Sequence, residues 1–320
     1  MHTVFVTGAD GFAGGHVLKR LTQAGYDTVA GVRNRARKLA YERNSQKALV
    51  CDVTDAIGVA RVVASVRPDA VLHLAGPSSP AAAAADPLLA YQSIVTAWAN
   101  VLDAVRRTVP RAKVVLASAC DVYGAAGDDD RPLPESTPVQ PISTFGSLKR
   151  TAETIAHTFY RDYHLNVTIA RPFHYTGPGQ PENLFIGSVA RAVIAATGTP
   201  GPTVLEVADL QCRRDILHVA DVATAYTRLI EDGRPDEIYN ICSGNSLEIN
   251  ELVAAIAAEA GVHLQLSERP TPPEDNPVRA LRGSNQKLRD ELHWQPTNSV
   301  EDAVKDLVAS YRPQAATVAH

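Results

Sequence analysis

The segment Thr7-Gly8-Ala9-Asp10-Gly11-Phe12-Ala13-Gly14 decides the fold class of this chain. It directly follows the apolar run Thr3–Thr7 and opens a helical pattern over Ala13–Gln23. In such a unit the first glycine allows a tight turn, the second lets the backbone approach a pyrophosphate, and the third lets the helix pack on the strand. The helix N-terminus adds unpaired N–H groups and the positive end of a dipole. The segment therefore predicts a dinucleotide-binding loop rather than a merely tight turn.

Apolar runs and helical patterns continue to alternate through the first half of the chain. Runs of four or five residues rich in Val, Leu and Ala are typical of a parallel sheet covered on both faces. Further strand candidates are Thr28–Val32, Ala48–Cys51, Ala70–Leu74, Lys113–Ala117 and Val167–Ala170. The helical patterns between them are Asp55–Val66, a long one over about Leu88–Arg107, and Lys149–Tyr163. This alternation predicts an α/β fold with a doubly wound parallel sheet of the Rossmann type.

The alternating pattern of apolar runs and helical segments changes after Gly177. Prolines and glycines interrupt the alternation there, and a second proline cluster runs from Pro270 to Pro277. Helical patterns still occur over Asp221–Asp232 and Leu247–Ala258. We expect residues 1–177 to form the dinucleotide-binding domain. Residues 178–320 should form mainly a smaller substrate-binding lobe, with some segments returning to the sheet.

Composition and charge limit the classes of partner. The chain has 320 residues, of which 45% are hydrophobic, and a net charge of -4, which provides no basic stripe for nucleic acid. No apolar run approaches the roughly 20 residues of a membrane helix, and the opening MHTVFVTGAD lacks the pattern of a signal peptide. The four cysteines lack CxxC spacing. We therefore expect a cytoplasmic chain with reduced cysteines, without a metal site and without nucleic-acid or membrane partners.

The end of the second strand bears on the choice of cofactor. An acidic residue there usually binds the ribose 2′-hydroxyl, but this chain reads Gly31-Val32-Arg33-Asn34-Arg35. A carboxylate would repel a 2′-phosphate, whereas a guanidinium can bind it with two hydrogen bonds. We predict NADP rather than NAD, with Arg33 and Asn34 at the cofactor. It stays open that Arg33, Arg35, Arg37 and Lys38 are simply the solvated start of a helix.

Further motifs carry a family resemblance. They are Cys51-Asp52-Val53, His73-Leu74-Ala75-Gly76, Ser118-Ala119-Cys120-Asp121-Val122-Tyr123-Gly124 and Phe145-Gly146-Ser147-Leu148-Lys149. In this order and spacing the chain resembles the extended short-chain dehydrogenase/reductases that modify nucleotide sugars. The stretches RPFHYTGPGQ at 171–180, RDI at 214–216, YNICSG at 239–244 and GSN at 283–285 are most similar to one branch. That branch contains GDP-mannose 4,6-dehydratase and GDP-4-keto-6-deoxymannose reductase.

The resemblance implies site residues and an assembly. It implies cofactor contacts from Asp52, Val53, Leu74, Ala75 and Lys149. A GDP-linked sugar would contact Ser78 and Ser79 with its sugar or diphosphate, and its diphosphate would contact Asn183, Arg191, Arg214 and Arg279. Charge-assisted contacts to phosphate are the physical reason that arginines belong at such positions. The long helix and the Lys149 helix commonly pair in this family, so the resemblance also implies a homodimer.

Several positions depart from the family's pattern, two of them at groups that carry its chemistry. By resemblance, a Ser or Thr after the fifth strand and a helix Tyr, whose pKa a Lys lowers, exchange the proton with the sugar. Ala119 and Phe145 occupy these positions, and Ile94 replaces an Asn of the long helix. Successive strand side chains point to opposite faces, so Ser118 should face the sheet packing and Asp121 the pocket. The loss of a general acid and of an oxyanion donor predicts that the standard mechanism is absent.

Three functions remain open. The first, favoured because the polar nucleotide-sugar determinants are retained, is a GDP-hexose isomerase of the epimerase or pyranose–furanose mutase type. Its catalytic groups would be Asp121, Lys149, His174 and Tyr175. The second is an NADPH-dependent 4-keto-6-deoxy-sugar-nucleotide reductase or dehydratase in which Tyr175, Tyr123 or His174 is the substitute acid. The third is a pseudoenzyme, or a protein with replaced active-site residues, that binds cofactor and nucleotide sugar. Purely structural roles for Asp121, as a turn former, and for His174 also stay open.

Overall fold

A computed structural model describes residues 2–127, 129–198, 201–269 and 278–312. The proline cluster from Pro270 to Pro277 lies outside these residues. The strands are β1 (Thr3–Thr7), β2 (Asp27–Val32), β3 (Ala48–Val50), β4 (Ala70–His73), β5 (Lys113–Ala117), β6 (Val167–Pro172), β7 (His174–Thr176), β8 (Thr203–Ala208), β9 (Arg213–His218), β10 (Ile238–Ile241), β11 (Ser246–Glu248), β12 (Leu264–Arg269) and β13 (Ala280–Leu281).

The helices alternate with these strands. They are α1 (Phe12–Gln23), α2 (Arg35–Arg43), α3 (Ala56–Val66), α4 (Pro80–Ala85), α5 (Pro87–Tyr91), α6 (Ala97–Thr108), α7 (Thr144–Tyr163), α8 (Phe185–Ala195), α9 (Val219–Asp232), α10 (Ile249–Ala260), α11 (Gln286–Leu292) and α12 (Val300–Tyr311). No helix within the described ranges is both long enough and apolar enough to cross a membrane.

The main sheet has seven parallel strands in the order β3-β2-β1-β4-β5-β6-β10. One face is covered by α3, α6 and α7 around Phe5, Val71 and Val114. The other is covered by α1, α9 and α11 around Val4 and Leu72. Alternating side chains of each buried strand therefore supply both cores, as expected for a doubly wound sheet. The predicted Rossmann-type α/β fold is confirmed.

The structure adds a seventh strand that the sequence analysis did not identify. Strand β10 lies in the second half of the chain and pairs with β6, with Ile238 beside Ile169. Two smaller sheets lie outside the main one: β9 pairs with β7, β11 and β13, and β8 pairs with β12. A third core packs α8, α10 and α12 together. The proposed domain boundary at residue 177 stays a prediction.

Three local structures differ from the patterns predicted for them. The long helix runs continuously from α5 into α6 but contains a π-helical turn over Gln92–Thr96. Helix α7 begins at Thr144 rather than Lys149, because the Ser143 hydroxyl accepts the Gly146 N–H at 3.1 Å and caps the helix. Beyond β5, the chain forms a 3-10 turn over Cys120–Val122 instead of extended strand.

Candidate active site

The glycine-rich loop lies at the carboxyl end of β1 and leads into α1. Gly8 has a φ of 68°, and a Cβ there would lie 2.6 Å from the Ala75 nitrogen. A Cβ on Gly14 would lie 2.2 Å from the Gly8 carbonyl oxygen. Gly11 is the N-cap of α1 and offers no side chain to its first turn. The free N–H groups of that turn and the close backbone approach fit the pyrophosphate of a dinucleotide.

The residues after β2 divide into a helix cap and an exposed cation. Asn34 accepts the Arg37 N–H at 3.0 Å through its side-chain oxygen and so starts α2. Arg37 lies 3.8 Å from the Asp10 carboxylate in the glycine-rich loop. Arg33 is exposed and has no polar partner among the residues that the structure describes. Its guanidinium is therefore available for a cofactor phosphate, as is that of Arg35, which is also exposed and has no polar partner among the described residues.

The other predicted cofactor residues follow the neighbouring strands β3 and β4. Asp52 accepts hydrogen bonds from the backbone N–H and the hydroxyl of Thr54 at 2.9 and 2.7 Å. The Val53 carbonyl accepts the Asn100 side-chain amide at 3.0 Å. The Leu74 N–H extends the sheet by donating to the Thr7 carbonyl at 3.1 Å. All three residues therefore lie at the carboxyl edge where β1 carries the glycine-rich loop.

The two positions that lack hydroxyls are buried. Ala119 is 7% exposed, Phe145 is 4% exposed, and both belong to one apolar cluster. Ser118 does not replace the missing serine, because its hydroxyl donates to Oε1 of Glu153 at 2.6 Å. Glu153 also forms two hydrogen bonds of 2.8 Å with Arg171. The expectation that Ser118 faces away from the pocket agrees with this geometry.

Lys149 is buried rather than a surface lysine, since it is only 6% exposed. Its Nζ donates to the Ala117 carbonyl at 2.6 Å. The same ammonium lies 5.7 Å from the centre of the Trp98 ring and 5.6 Å from that of Phe145. Burial lowers the pKa of Lys149 to about 8, although the carboxylates of Asp121 and Glu153 act in the opposite direction.

Charge interactions link Asp121 with Lys149 and Arg214, and Arg214 with His174; we call these four residues the Asp121 cluster. The alternation of strand side chains does not determine where Asp121 points, because Asp121 belongs to a 3-10 turn. Our reason for expecting it to face the pocket was therefore wrong. Burial nevertheless raises the pKa of its carboxyl, while Arg214 and Lys149 oppose the rise. Burial, followed by the charge of Arg214, lowers the pKa of His174 to about 3. The His174 Nδ1 is buried without a hydrogen-bond partner in the described structure.

The two tyrosines considered as substitute acids differ in their surroundings. Tyr175 stacks on Phe12 at a ring distance of 5.7 Å and an angle of 19°, and burial raises its pKa to about 12. Tyr123 is 0% exposed, donates to Asn240 at 2.8 Å and accepts from Arg171 at 3.0 Å. The suggestion that Tyr123 is a substitute acid is therefore wrong, because its hydroxyl is committed to a buried network.

The residues predicted to bind the substrate do not all lie at one site. Arg214 donates to the carbonyls of Arg213 and Arg279 at 2.8 and 3.5 Å, so the Arg279 backbone lies beside the Asp121 cluster. Ser79 instead caps α4 by accepting the Ala82 N–H at 3.3 Å. Arg191 pairs with Glu182 at 3.4 Å on the surface. Ser78 and Asn183 are exposed. No contact joins Ser78, Asn183 or Arg191 to the cluster within the described part of the chain.

Two supporting groups escaped the sequence analysis. Glu153 lies four residues after Lys149, a spacing that places both on one face of α7 and was a usable signal. Asp215 is buried and accepts the N–H groups of Ser243, Gly244 and Gly283 at 2.8, 2.9 and 3.2 Å. Its neighbour Arg214 is thereby held in place. No local pattern indicates the N–H groups that Asp215 accepts, because they come from the distant segments 243–244 and 283.

Comparison with known proteins now identifies the class. Residues 4–242 match the NAD dependent epimerase/dehydratase family. The chain therefore belongs to this nicotinamide-dependent family of the extended short-chain dehydrogenase/reductases.

Its similar relatives include both reductases and epimerases. GDP-6-deoxy-D-mannose reductase of Pseudomonas aeruginosa is 31% identical over 244 residues, covering 76% of this chain and 80% of that protein. The solved structure of RMD from Pseudomonas aeruginosa complexed with NADPH is 28% identical, with a TM-score of 0.84 over 97% of this chain and 99% of that one. UDP-glucose 4-epimerase 2 of Arabidopsis thaliana is 27% identical over 336 residues, covering 95% and 93%. These relatives are nucleotide-sugar enzymes of differing reaction type.

Proposed function

We propose that this chain is an NADP-dependent enzyme that isomerises a nucleotide sugar without net oxidation or reduction. The favoured substrate is a GDP-hexose, changed by epimerisation or by a pyranose–furanose ring change. One observation carries the proposal: the ionisable groups of the Asp121 cluster interact with one another at the carboxyl edge of the sheet that also carries the glycine-rich loop, although Ala119 and Phe145 stand where the family has hydroxyls. Ionisable groups with displaced pKa values that converge in this way are typical of catalytic sites.

The cofactor part of the proposal depends on the glycine-rich loop and Arg33. The backbone at Gly8, Asp10, Gly11, Phe12, Ala13 and Gly14 would hold the pyrophosphate. The exposed Arg33 would hold a 2′-phosphate, with Asn34 shaping the helix start beside it. A relative solved with NADPH supports this preference. When bound, the nicotinamide would supply a site that accepts and returns a hydride.

The chain's own residues would bind the nucleotide sugar and transfer protons. Arg214, with Arg279 beside it, would bind the diphosphate through charge-assisted hydrogen bonds. His174 would offer an uncharged imidazole to a sugar hydroxyl, since its pKa of about 3 keeps it neutral near pH 7. Asp121 and Lys149 would handle protons, because each titrates closer to neutrality than an exposed group of its kind. Tyr175 would help to shape the pocket through its stack on Phe12.

The second candidate is an NADPH-dependent reductase. The similarity to a GDP-6-deoxy-D-mannose reductase favours it. The surroundings of Tyr175 count against it, because a phenol whose pKa is about 12 and whose ring is stacked on Phe12 is a poor acid near neutral pH.

A turnover assay separates the candidates. The purified protein, with bound nucleotide quantified, is incubated with GDP- and UDP-hexoses in the absence of added reduced cofactor, and in parallel with a 4-keto-6-deoxyhexose sugar nucleotide and NADPH. A new sugar isomer in the NMR spectrum is the expected result. Product that forms only while NADPH is consumed would support the reductase. Binding of cofactor and nucleotide sugar without any product would contradict both and support a pseudoenzyme.

Two further features belong to this proposal. Exposed apolar side chains lie on the long helical segment and on α7, namely Leu88, Leu89, Tyr91, Tyr160 and Tyr163, which supports a homodimer through these helices. The cysteines Cys51, Cys120, Cys212 and Cys242 are free and buried, which suits the reducing cytoplasm. Sedimentation of the purified chain tests the dimer.

A further inference from the structure

Lys149 occupies an unusual position for a buried cation. An ammonium has three N–H groups, and only one of them is used here, in the 2.6 Å bond to the Ala117 carbonyl. Its other neighbours include the faces of Trp98 and Phe145, which cannot accept a conventional hydrogen bond. Two N–H directions therefore remain without a hydrogen-bonded partner in the described structure.

The charged groups that face Lys149 come from three elements. Asp121 approaches from the turn after β5, and Glu153 lies one turn further along α7. Glu153 is already shared between Arg171 and Ser118, so it is less available to neutralise the lysine. His73 faces the lysine from β4, and burial keeps it uncharged with a pKa of about 3. Asp121 also interacts with the charge of Arg214, but it has no hydrogen-bonded cation in the described structure and is thus the principal counter-charge of Lys149.

The alternatives for proton transfer are weaker on geometric grounds. Ala119 and Phe145 have no exchangeable proton. Tyr175 is stacked on Phe12, and Tyr123 is held by Asn240 and Arg171. Among these described residues, Lys149 alone combines a position at the carboxyl end of β5 with N–H groups that are not yet used.

We propose that the Lys149 amine itself carries the proton that this family's chemistry otherwise passes through a helix tyrosine. This inference rests on the proposed isomerase function and assigns the acid and base of that reaction. The neutral amine accepts the proton of a sugar hydroxyl, and the electron pair of the broken O–H bond becomes the second bond of a ketone as the hydrogen on that carbon leaves as hydride. Oxidised NADP, when bound, would accept this hydride and return it to the opposite face of the ketone. The resulting ammonium, stabilised by Asp121, returns the proton to the same oxygen when the isomer forms.

The chemistry of a buried lysine suits this role. Desolvation makes the neutral amine accessible near neutral pH, as known for lysines that act as bases. The lowered pKa of Lys149, about 8, agrees with that expectation. Arginine would keep the positive charge but cannot give up its proton in a protein. Lys149→Arg therefore separates proton transfer from simple charge.

The first test observes the lysine directly and needs no turnover. Lysine labelled with 13C at Cε is titrated by NMR in the complete chain, and Lys149 is assigned by the signal missing from Lys149→Met. Assignment is necessary because burial also lowers the pKa of Lys113. The expected midpoint is near 8. A midpoint at the usual value of about 10.4 overturns the proposal.

The second test compares variants in the isomerase assay. At saturating cofactor, Lys149→Arg should slow turnover by a factor of about 10²–10⁴ and abolish the rise of kcat/KM with pH. Lys47→Arg, at an exposed ion pair with Asp27, is the control and should behave as the unchanged protein. A Lys149→Arg variant that folds, turns over and keeps its pH profile overturns the proposal. If the unchanged protein makes no isomer, the proposed function fails, while a midpoint near 8 still supports the unusual lysine.

Discussion

Ser118 donates its hydroxyl to Glu153 at 2.6 Å, inside the core rather than toward the dinucleotide loop. Glu153 at the same time receives both ends of the Arg171 guanidinium at 2.8 Å. The serine beside the vacated family position thus belongs to a buried ionic network that joins α7 to β5 and β6. Lys149, one turn before Glu153 on the same face of α7, donates instead to the Ala117 carbonyl and interacts with the charge of Asp121.

The first prediction concerns this serine. Ser118→Ala should lower the free energy of unfolding by about 1–3 kcal/mol, because it removes a donor to a buried carboxylate. Turnover per folded molecule should stay close to that of the unchanged protein, since the hydroxyl does not face the cofactor loop. Denaturant unfolding and the turnover rate of the same preparations measure both. If a folded variant turned over more slowly by about a hundredfold or more, Ser118 would take part in catalysis.

The second prediction concerns cofactor choice. Isothermal titration should show tighter binding of NADPH than of NADH, and Arg33→Ala should remove most of the difference. A charged hydrogen bond contributes about 1.5–3 kcal/mol, which corresponds to roughly 10- to 150-fold in affinity. Arg43→Ala, at the exposed far end of α2, is the matched control. Equal affinity for both cofactors in the unchanged protein would contradict the assignment of Arg33.

The third prediction concerns the support of Arg214. Each oxygen of the Asp215 carboxylate accepts hydrogen bonds, one from the N–H and hydroxyl of Ser243, the other from the N–H groups of Gly244 and Gly283. Asp215→Asn would turn an amide NH2 toward one of these sets of donors. Unfolding should then cost about 1–3 kcal/mol less, and nucleotide-sugar affinity should fall with it. Unchanged stability and affinity would show that this turn does not depend on the carboxylate.

The fourth prediction is a pH dependence of stability. In the folded protein Lys149 loses its proton near pH 8, whereas an unfolded lysine keeps it to about 10.5. Unfolding therefore takes up a proton between these values, and the free energy of unfolding gains from this group as pH rises. Relative to Lys149→Met, the unchanged protein should gain about 3 kcal/mol between pH 8 and 10.5. A constant difference between the two proteins across this range would show an ordinary lysine.

The fold could be predicted from the sequence because the apolar runs, the glycine-rich loop and the helical patterns all indicate the same architecture. The run Thr3–Thr7, the glycine loop and the helix after it have strictly local causes, and the structure reproduces them. Strand β10 was missed because its partner β6 lies more than 60 residues earlier in the chain, and nothing nearby indicates that pairing. The turn at Asp121 was misjudged because the strand pattern was extended past β5, where the backbone closes into a 3-10 turn.

The candidate site was predictable only in part, because several of its contacts join residues that are far apart in the sequence. Ala119 and Phe145 are visible as substitutions within local motifs. The burial of Lys149 and the commitment of Tyr123 to Asn240 depend on side chains from distant segments. Local motifs therefore identified which hydroxyls were missing, whereas the surrounding groups became identifiable only in three dimensions.

The central claim is that this pocket, without its family's hydroxyls, catalyses a redox-neutral change of a nucleotide sugar. The most direct measurement follows sugar composition by NMR and reduced nicotinamide by absorbance in one reaction with a GDP-hexose and both NADP+ and NADPH. We predict that an isomer accumulates while the amount of NADPH stays constant. Formation of product in step with an equal loss of NADPH would contradict the account.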